Sequence, residues 1–241
     1  MANTIDFTKV IEAGMKLPIV HVDRKAFLTK ELSKYYDEAT MQEIINKGTK
    51  GFVDKRIIDK VARGCINYQT TIVCSVSAVA GIPGGWALLG AVPADIAQFY
   101  ANTISLVQKM LYLYGWPDFN VNNDELDDDT TSIIILWIGV MMGANGAEVA
   151  VRQIAKQLAV GMQKRIARMT LGTSALYQVA KKVCAWLGIQ LTRETSIKVA
   201  GKVVPIIGAP ISAAVSYATF YPMARKLKRE LDNQWNKVYG I

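Results

Sequence analysis

The sequence predicts an all-α protein, a compact multi-helix bundle that contains two apolar helical hairpins broken by glycine and proline. Apolar residues recur at helical spacing along most of the chain, and capping or helix-stopping residues separate the apolar segments. Of the 241 residues, 51% are hydrophobic, which is enough to bury a sizeable core. We expect a single helical domain over residues 1–241.

The first part, residues 1–60, predicts short amphipathic helices with clear boundaries. Asp6 or Thr4 is placed to cap the first helix, and Asp23 to cap the second. Gly48 is expected to end the third helix. Charged residues on the outer faces are typical of helices packed on one side.

Residues 61–117 predict the first apolar hairpin. Residues 64–94 carry no charge, but the sequence GIPGG at 81–85 interrupts them, because proline removes a backbone donor and glycine adopts angles that other residues avoid. We expect two helical arms that meet at this corner. The second arm is expected to begin near Pro93 and to stop at Gly-Trp-Pro, residues 115–117. The GIPGG segment lacks the Gly-Lys-Ser/Thr ending of a phosphate-binding loop.

Residues 118–132 are rich in aspartate, asparagine and threonine and predict an acidic loop that leads into a helix. The aspartates at 124–129 lack the central glycine and the distal glutamate of an EF-hand loop. We therefore expect a solvated capping loop rather than a calcium site.

Residues 133–241 predict the basic helical part. It opens with a densely apolar helix, and a later helix is expected to stop at Gly188, with Thr192 capping the next. Residues 203–224 form another charge-free run, which predicts the second broken hairpin. Its prolines are Pro205, Pro210 and Pro222.

Charge is unevenly distributed along the chain, whose net charge is +8. Residues 64–147 hold one basic and seven acidic residues, whereas residues 148–241 hold 15 basic and four acidic residues. A basic C-terminal part suits contact with anionic lipid, with nucleic acid, or with the acidic middle of the same chain. Since no nucleic-acid-binding motif is present, we expect no nucleic-acid partner.

The residues that usually carry chemistry are few. Cys65, Cys74 and Cys184 form neither a disulfide framework nor a metal-ligand spacing, and we expect reduced, structural thiols. His21 is the single histidine, and its place in an N-terminal connector favours a structural or solvent-facing role over a catalytic triad. We expect no cofactor, no metal and no catalytic residue. The polar N-terminus lacks a secretory signal, so we expect a cytoplasmic protein.

Four short apolar motifs resemble the signature of the EcsC protein family. They are AGIPGG at 80–85, VPADIAQF at 92–99, YLYGW at 112–116 and VPIIGA at 204–209, and the similarity extends from about residue 15 to residue 230. The resemblance implies a helical bacterial protein that associates with membranes. It implies no catalytic residues.

The apolar runs fit three environments, namely a spanning helix, an interfacial hairpin and a soluble core. A hairpin at the membrane surface would place apolar side chains at its tip and arginine or lysine on anionic headgroups. The candidate membrane-contact residues are Ile82, Trp86, Leu88, Leu89, Arg225, Lys226, Lys228 and Arg229.

Asp95 is the candidate functional acid. Apart from cysteines and tyrosines, it is the only ionisable residue between Arg63 and Lys109. An acid in apolar sequence suits a proton relay or a headgroup amine. Its place at a helix start also offers a purely structural role.

These observations together predict a non-enzymatic, membrane-associated accessory or membrane-active factor at the inner, cytoplasmic face of the cell membrane. Anionic membrane lipid is the expected partner, with a protein partner as the alternative. Two other functions stay open: a soluble helical scaffold that binds a protein or a lipophilic ligand, and an enzyme that uses Asp95.

Overall fold

The computed structural model describes residues 6–15, 17–80, 88–89, 92–118, 128–159, 175–200 and 208–238. These residues form an all-α bundle, as predicted. The helices are α1 (Phe7–Met15), α2 (Arg24–Leu32), α3 (Glu38–Lys47), α4 (Lys55–Ala80), α5 (Ala94–Leu113), α6 (Asp128–Met142), α7 (Ala147–Ala159), α8 (Ala175–Ala200) and α9 (Gly208–Val238), with a 3-10 turn at Pro18–Val20.

The local helix signals of the first part are confirmed. An oxygen of Asp6 accepts the amide of Thr8 at 3.0 Å, and Asp23 accepts the amide of Ala26 at 2.6 Å. Gly48 ends α3 with φ of 94°, a conformation that glycine adopts without strain. Thr4, the other predicted cap, lies outside the described residues.

The first apolar hairpin is present as α4 and α5. The side-chain amides of Gln69 and Asn102 meet at 2.6 Å, and the Lys55 ammonium lies 5.6 Å from the ring centre of Tyr114, so the two helices run antiparallel. Before α5, strands β1 (Leu88–Leu89) and β2 (Val92–Pro93) pair in antiparallel fashion. Helix α5 then begins at Ala94, next to the predicted start.

Helix α5 lies at the centre of the bundle. It packs against α1, α4 and α6, and from Tyr100 to Tyr114 almost every side chain is buried. Helix α6 is buried over most of its length in the same way. Helix α6 is apolar on all sides over residues 133–142, which is typical of a helix surrounded by others, whereas α5 also buries polar side chains such as Asn102 and Gln108.

The predicted stop at Gly188 is wrong, because α8 continues through it to Ala200. Gly188 is buried, and the hydroxyl of Thr192 donates to the Gly188 carbonyl at 2.8 Å within the helix instead of capping a new one. A glycine costs a helix only about 1 kcal/mol relative to alanine, and packing readily supplies that amount.

The chain also stays helical at Pro222, where the charge-free run at residues 203–224 was expected to break. Helix α9 is continuous from Gly208, so Pro210 falls in its first turn, where no amide partner is needed. Pro222 deprives the carbonyl of Ala218 of its helical partner, but both residues are exposed, so water can bond that carbonyl. Pro205 lies outside the described residues.

The three cysteines are free thiols, as predicted. Cys65 is buried, and burial raises the pKa of its thiol to about 12. Burial also raises the pKa of Cys74 and of Cys184. Raised values keep all three thiols protonated and weakly nucleophilic at neutral pH.

Candidate functional site

A cluster of ion pairs joins α4 to α9. The Lys55 ammonium lies 2.6 Å from Asp59 and 2.7 Å from Asp232, while Lys228 contacts Asp59 and lies 2.7 Å from Asp232. The hydroxyl of Tyr114, just after α5, donates to Asp232 at 2.6 Å. Two cations and two carboxylates thus balance each other across three elements of the bundle.

The electrostatics of this cluster follow from its geometry. Burial by itself would raise the pKa of Asp59, but the hydrogen bonds and charges of Lys228 and Lys55 outweigh it and leave that pKa below the ordinary 3.8. Burial, reinforced by the hydrogen bond to Asp232, raises the pKa of Tyr114. Asp59 is therefore ionised at neutral pH, whereas the Tyr114 phenol keeps its proton.

Acid should weaken the bundle through Asp59. A carboxyl whose pKa is lower in the folded than in the unfolded state contributes stability above its unfolded pKa and loses it as the pH falls through the folded pKa. We expect the free energy of unfolding to drop between about pH 5 and about pH 3, and the drop to be smaller in Asp59→Asn. Urea titrations at both pH values measure it. Glu12→Gln, an exposed control, should keep the wild-type dependence, and equal slopes for wild type and Asp59→Asn would contradict the assignment.

The same ion pairs fix the register between α4 and α9. Lys55 faces Asp232 and Asp59 faces Lys228, so four residues forward on α4 match four residues back on α9. Continuing this register, which the extensive packing of the two helices supports, places Arg63 opposite Ala224 and beside Arg225. Beyond these two arginines, residues 64–80 of α4 and 208–224 of α9 carry no charge.

Helix α5 loses its charge at the same level. Two contacts relate α4 to α5, that of Lys55 with Tyr114 and that of Gln69 with Asn102. Arg63 lies between Lys55 and Gln69 on α4, and the corresponding position on α5 is near Val107. Val107 is within one helical turn of Lys109. Beyond Lys109, residues 94–108 of α5 carry only Asp95. We call this part of the bundle, residues 64–80, 94–108 and 208–224, the apolar end, and the level of Arg63, Lys109 and Arg225 its boundary.

The surface of the apolar end belongs mainly to α4 and α9. On α9, Val215 is 50% exposed and Tyr217 is 52% exposed, and Ala214, Ala218 and Thr219 are exposed beside them. On α4, Tyr68 is 63% exposed, and the polar but uncharged Asn67, Thr71 and Ser75 are exposed with it. Helix α1 packs on α5 at this end and carries exposed Lys9 and Glu12, so the uncharged surface does not encircle the bundle.

Tyrosines stand close to the boundary on both helices. The rings of Tyr217 and Tyr221 stack with centroids 5.2 Å apart and planes inclined by 9°, and the Arg225 guanidinium lies 6.0 Å from the centre of the Tyr221 ring. Tyr68 follows Arg63 by little more than one helical turn on α4. Aromatic residues and arginine are thus placed next to each other where the charged surface gives way to an uncharged one.

The structure separates the four predicted cations. Arg225, Lys226 and Arg229 are exposed near the boundary. The side chain of Lys228 is only 16% exposed and belongs to the ion-pair cluster with Asp59 and Asp232. Its position on α9 places it toward α4, whereas Arg225 lies over the Tyr221 ring and the Lys226 ammonium lies near Gly143 at the end of α6.

The predicted hairpin tip is described only in part. The backbone of Leu88 pairs with that of Pro93, and Leu89 pairs with Val92, whereas Ile82 and Trp86 lie outside the described residues. Asp95 is the second residue of α5, and its side chain also lies outside them. Since α5 begins there, the backbone of residues 88–89 and 92–95 lies next to the apolar end.

A small pocket near Lys50 is relevant to the possibility that the protein is an enzyme. Lys50, Tyr114, Trp116 and Gln234 are among the residues that line a space of about 10 Å³. Burial lowers the pKa of Lys50 to about 8, which would make it a better nucleophile than an ordinary lysine. The space is no larger than one water molecule needs, so it admits no substrate.

Several residues of the boundary were missed by the sequence analysis, namely Tyr68, Tyr217 and Tyr221. A signal for two of them existed, since Tyr217, Tyr221 and Arg225 are spaced at i, i+4 and i+8 on one helix face. The agreement in level between α4, α5 and α9 had no such signal, because it depends on contacts between residues far apart in the chain.

No protein-family model, curated protein or solved structure matches this chain. Over the residues that the structure describes, none of the helices combines the length and the hydropathy needed to cross a bilayer.

Proposed function

We propose that this chain is a non-enzymatic, EcsC-like membrane-associated protein that places its apolar end in the surface of an anionic bilayer on the cytoplasmic side. The observation that carries the proposal is the common level at which α4, α5 and α9 lose their charged residues, marked by Arg63, Lys109 and Arg225. A soluble bundle has no need to align these positions, since solvent surrounds every level equally.

The composition around the boundary supports the proposal. Tyrosine is enriched where proteins meet the membrane–water interface, and arginine or lysine beside it attracts anionic headgroups. Tyr217, Tyr221 and Arg225 follow one another in this order on α9, with Arg229 one turn further from the apolar end. An exposed apolar surface followed by exposed cations is the pattern of a protein that enters a membrane from one side.

The length of the apolar end suits penetration from one face. The uncharged 17 residues of α9, from 208 to 224, extend about 25 Å at 1.5 Å per residue, which is less than the hydrocarbon thickness of about 30 Å. A helical segment of this length can enter the membrane from one face without crossing it.

Flotation with vesicles tests the proposal. We expect the purified protein to float with phosphatidylcholine–phosphatidylglycerol vesicles and more weakly with phosphatidylcholine alone. Val215→Glu, which puts a charge on the exposed apolar surface, should weaken binding by about 30-fold or more, since a carboxylate in the membrane costs roughly 2 kcal/mol or more. Loss of Arg225 or Arg229 to glutamine should weaken binding to the anionic vesicles about fivefold each, near 1 kcal/mol per charge.

Val149→Glu is the matched control. Val149 is 67% exposed on α7, whose Arg152 pairs with Glu230 on the charged side of the boundary. It should fold and float as the wild type does. The proposal fails if the wild type ignores both kinds of vesicle, or if Val215→Glu and Val149→Glu bind alike.

A further inference from the structure

An open groove lies between the 3-10 turn, α2 and α5, at the level of the boundary residue Lys109. Its volume is about 280 Å³, close to the lower end of the range of roughly 300 to 1,000 Å³ found for small-molecule sites. Its walls include the apolar side chains of Ile19, Val22 and Phe27, and its polar groups include Lys30 and Lys109. The groove therefore combines an apolar lining with two cations.

Lys109 lies in this wall and forms no salt bridge with any residue that the structure describes. Its ammonium lies 3.2 Å from the amide oxygen of Gln69, a neutral group, and 5.9 Å from the ring centre of Tyr68. Among the residues that the structure describes, no carboxylate lies within salt-bridge distance of it, and Glu31 instead pairs with Lys34 at 3.7 Å. Burial, together with the charge of Lys30, lowers the pKa of Lys109, although the electrostatic effects of Cys65 and Glu31 act in the opposite direction.

The acid that lines the groove lies within salt-bridge distance of neither lysine. Asp23 also lines the groove, but its carboxylate accepts the amide of Ala26 at 2.6 Å as the cap of α2. A partly buried cation that is repelled by a second cation is stabilised by any anion that reaches both. The apolar walls beside them select an anion that carries a hydrocarbon chain.

We propose that this groove binds a small amphiphilic anion, with its carboxylate or phosphate on Lys109 and Lys30 and its apolar chain along Ile19, Val22 and Phe27. Such chemistry comes from two sources, a dissolved fatty carboxylate or an anionic lipid of a bilayer. The groove shares Lys109 with the boundary, but no residue of α9 lines it, so the inference does not depend on the exposed surface at Val215 that carries the proposed function.

Calorimetric titration with octanoate tests whether the groove binds a dissolved amphiphilic anion. The same titration with octanol tests whether binding requires the negative charge. We expect octanoate to bind the wild type, octanol to bind more weakly, and Lys109→Met to weaken octanoate binding about tenfold, as the loss of one charge-assisted hydrogen bond predicts. Lys156→Met, at an exposed lysine of α7, is the matched control and should bind as the wild type does.

A second variant keeps the test independent of Lys109. Ala26 is exposed at the groove, so Ala26→Trp should fold while its ring fills the groove and abolishes octanoate binding. If octanoate fails to bind but anionic vesicles bind the wild type about tenfold better than Lys109→Met and Ala26→Trp, the lipid is the source and the groove is upheld. If neither probe distinguishes these variants from Lys156→Met, the proposal is overturned, whatever the result for Val215→Glu.

Discussion

Gly139→Ala is expected to destabilise the bundle by about 2 kcal/mol, although alanine is the better helix former. Gly139 lies in α6 where this helix meets α7 and α8. A Cβ atom at this position would stand 2.5 Å from Cγ1 of Val183 and 3.1 Å from Cβ of Ala147. The helices must separate or Val183 must leave its rotamer, and either change costs more than the helix propensity of alanine returns. Urea unfolding followed by circular dichroism measures the loss.

Gly64→Ala provides the opposite case. Gly64 is also inside a helix, α4, but it is exposed, and a Cβ there meets no atom within 4 Å. The same substitution should therefore raise the free energy of unfolding by about 0.5 to 1 kcal/mol. Two variants of equal chemistry should thus change stability in opposite directions. A stabilised Gly139→Ala would mean that α6 and α8 do not approach each other as closely as the structure has them.

Removing the arginine partner of Glu230 is expected to cost about 2 to 3 kcal/mol. Glu230 of α9 is only 4% exposed, and Arg152 of α7 holds both of its oxygens at 2.6 Å. In Arg152→Met the carboxylate keeps only the weaker contact from Gln234 at 3.2 Å. The expected loss is below that of a fully buried pair because the Arg152 side chain is 36% exposed. Thermal and urea unfolding of the variant provide the measurement.

Two companion variants distinguish the cost of leaving the Glu230 carboxylate buried and unpaired from the cost of losing any ion pair. The double variant Arg152→Met with Glu230→Met should be more stable than Arg152→Met alone, because no unpaired carboxylate is left inside the protein. Arg56→Met removes an exposed pair, since the Arg56 side chain is 89% exposed beside Asp54, and should change stability by less than about 0.5 kcal/mol. Equal losses for Arg152→Met and Arg56→Met would show that burial of Glu230 does not matter.

The helix ends encoded by nearby residues were predictable from the sequence. Asp23, Gly48 and Gly115 act within a few residues of the ends they define, so local chemistry determines them. Gly188 and Pro222 carry the same local signal, yet the helices continue there. At Gly188, burial against other helices outweighs the small cost of glycine in a helix. At Pro222, the carbonyl of Ala218 that loses its helical partner is exposed and can accept a hydrogen bond from water. A sequence without its tertiary neighbours contains no measure of either effect.

The candidate site was predictable in part. The charge-free runs and the cations at 225–229 were evident, but their common level was not. That level depends on the pairing of Lys55 with Asp232, 177 residues apart in the chain. The different position of Lys228 had a signal, because it shares the inward face of α9 with Ala224, Leu227 and Leu231. The groove had none, since Lys109 belongs to α5, whereas Lys30 and the apolar walls belong to residues 18–30.

The pairing of α4 with α9 has a consequence for synthesis on the ribosome. Helix α4 is complete at residue 80, whereas the charged half of α9 that holds it, with Lys228 and Asp232, follows about 150 residues later. At a synthesis rate of roughly 5 to 20 residues per second, the apolar side of α4 and α5 stays uncovered by α9 for about 8 to 30 s. A nascent chain in this interval exposes more apolar surface than the finished protein, and chaperones or a nearby bilayer are the partners that shield such a surface.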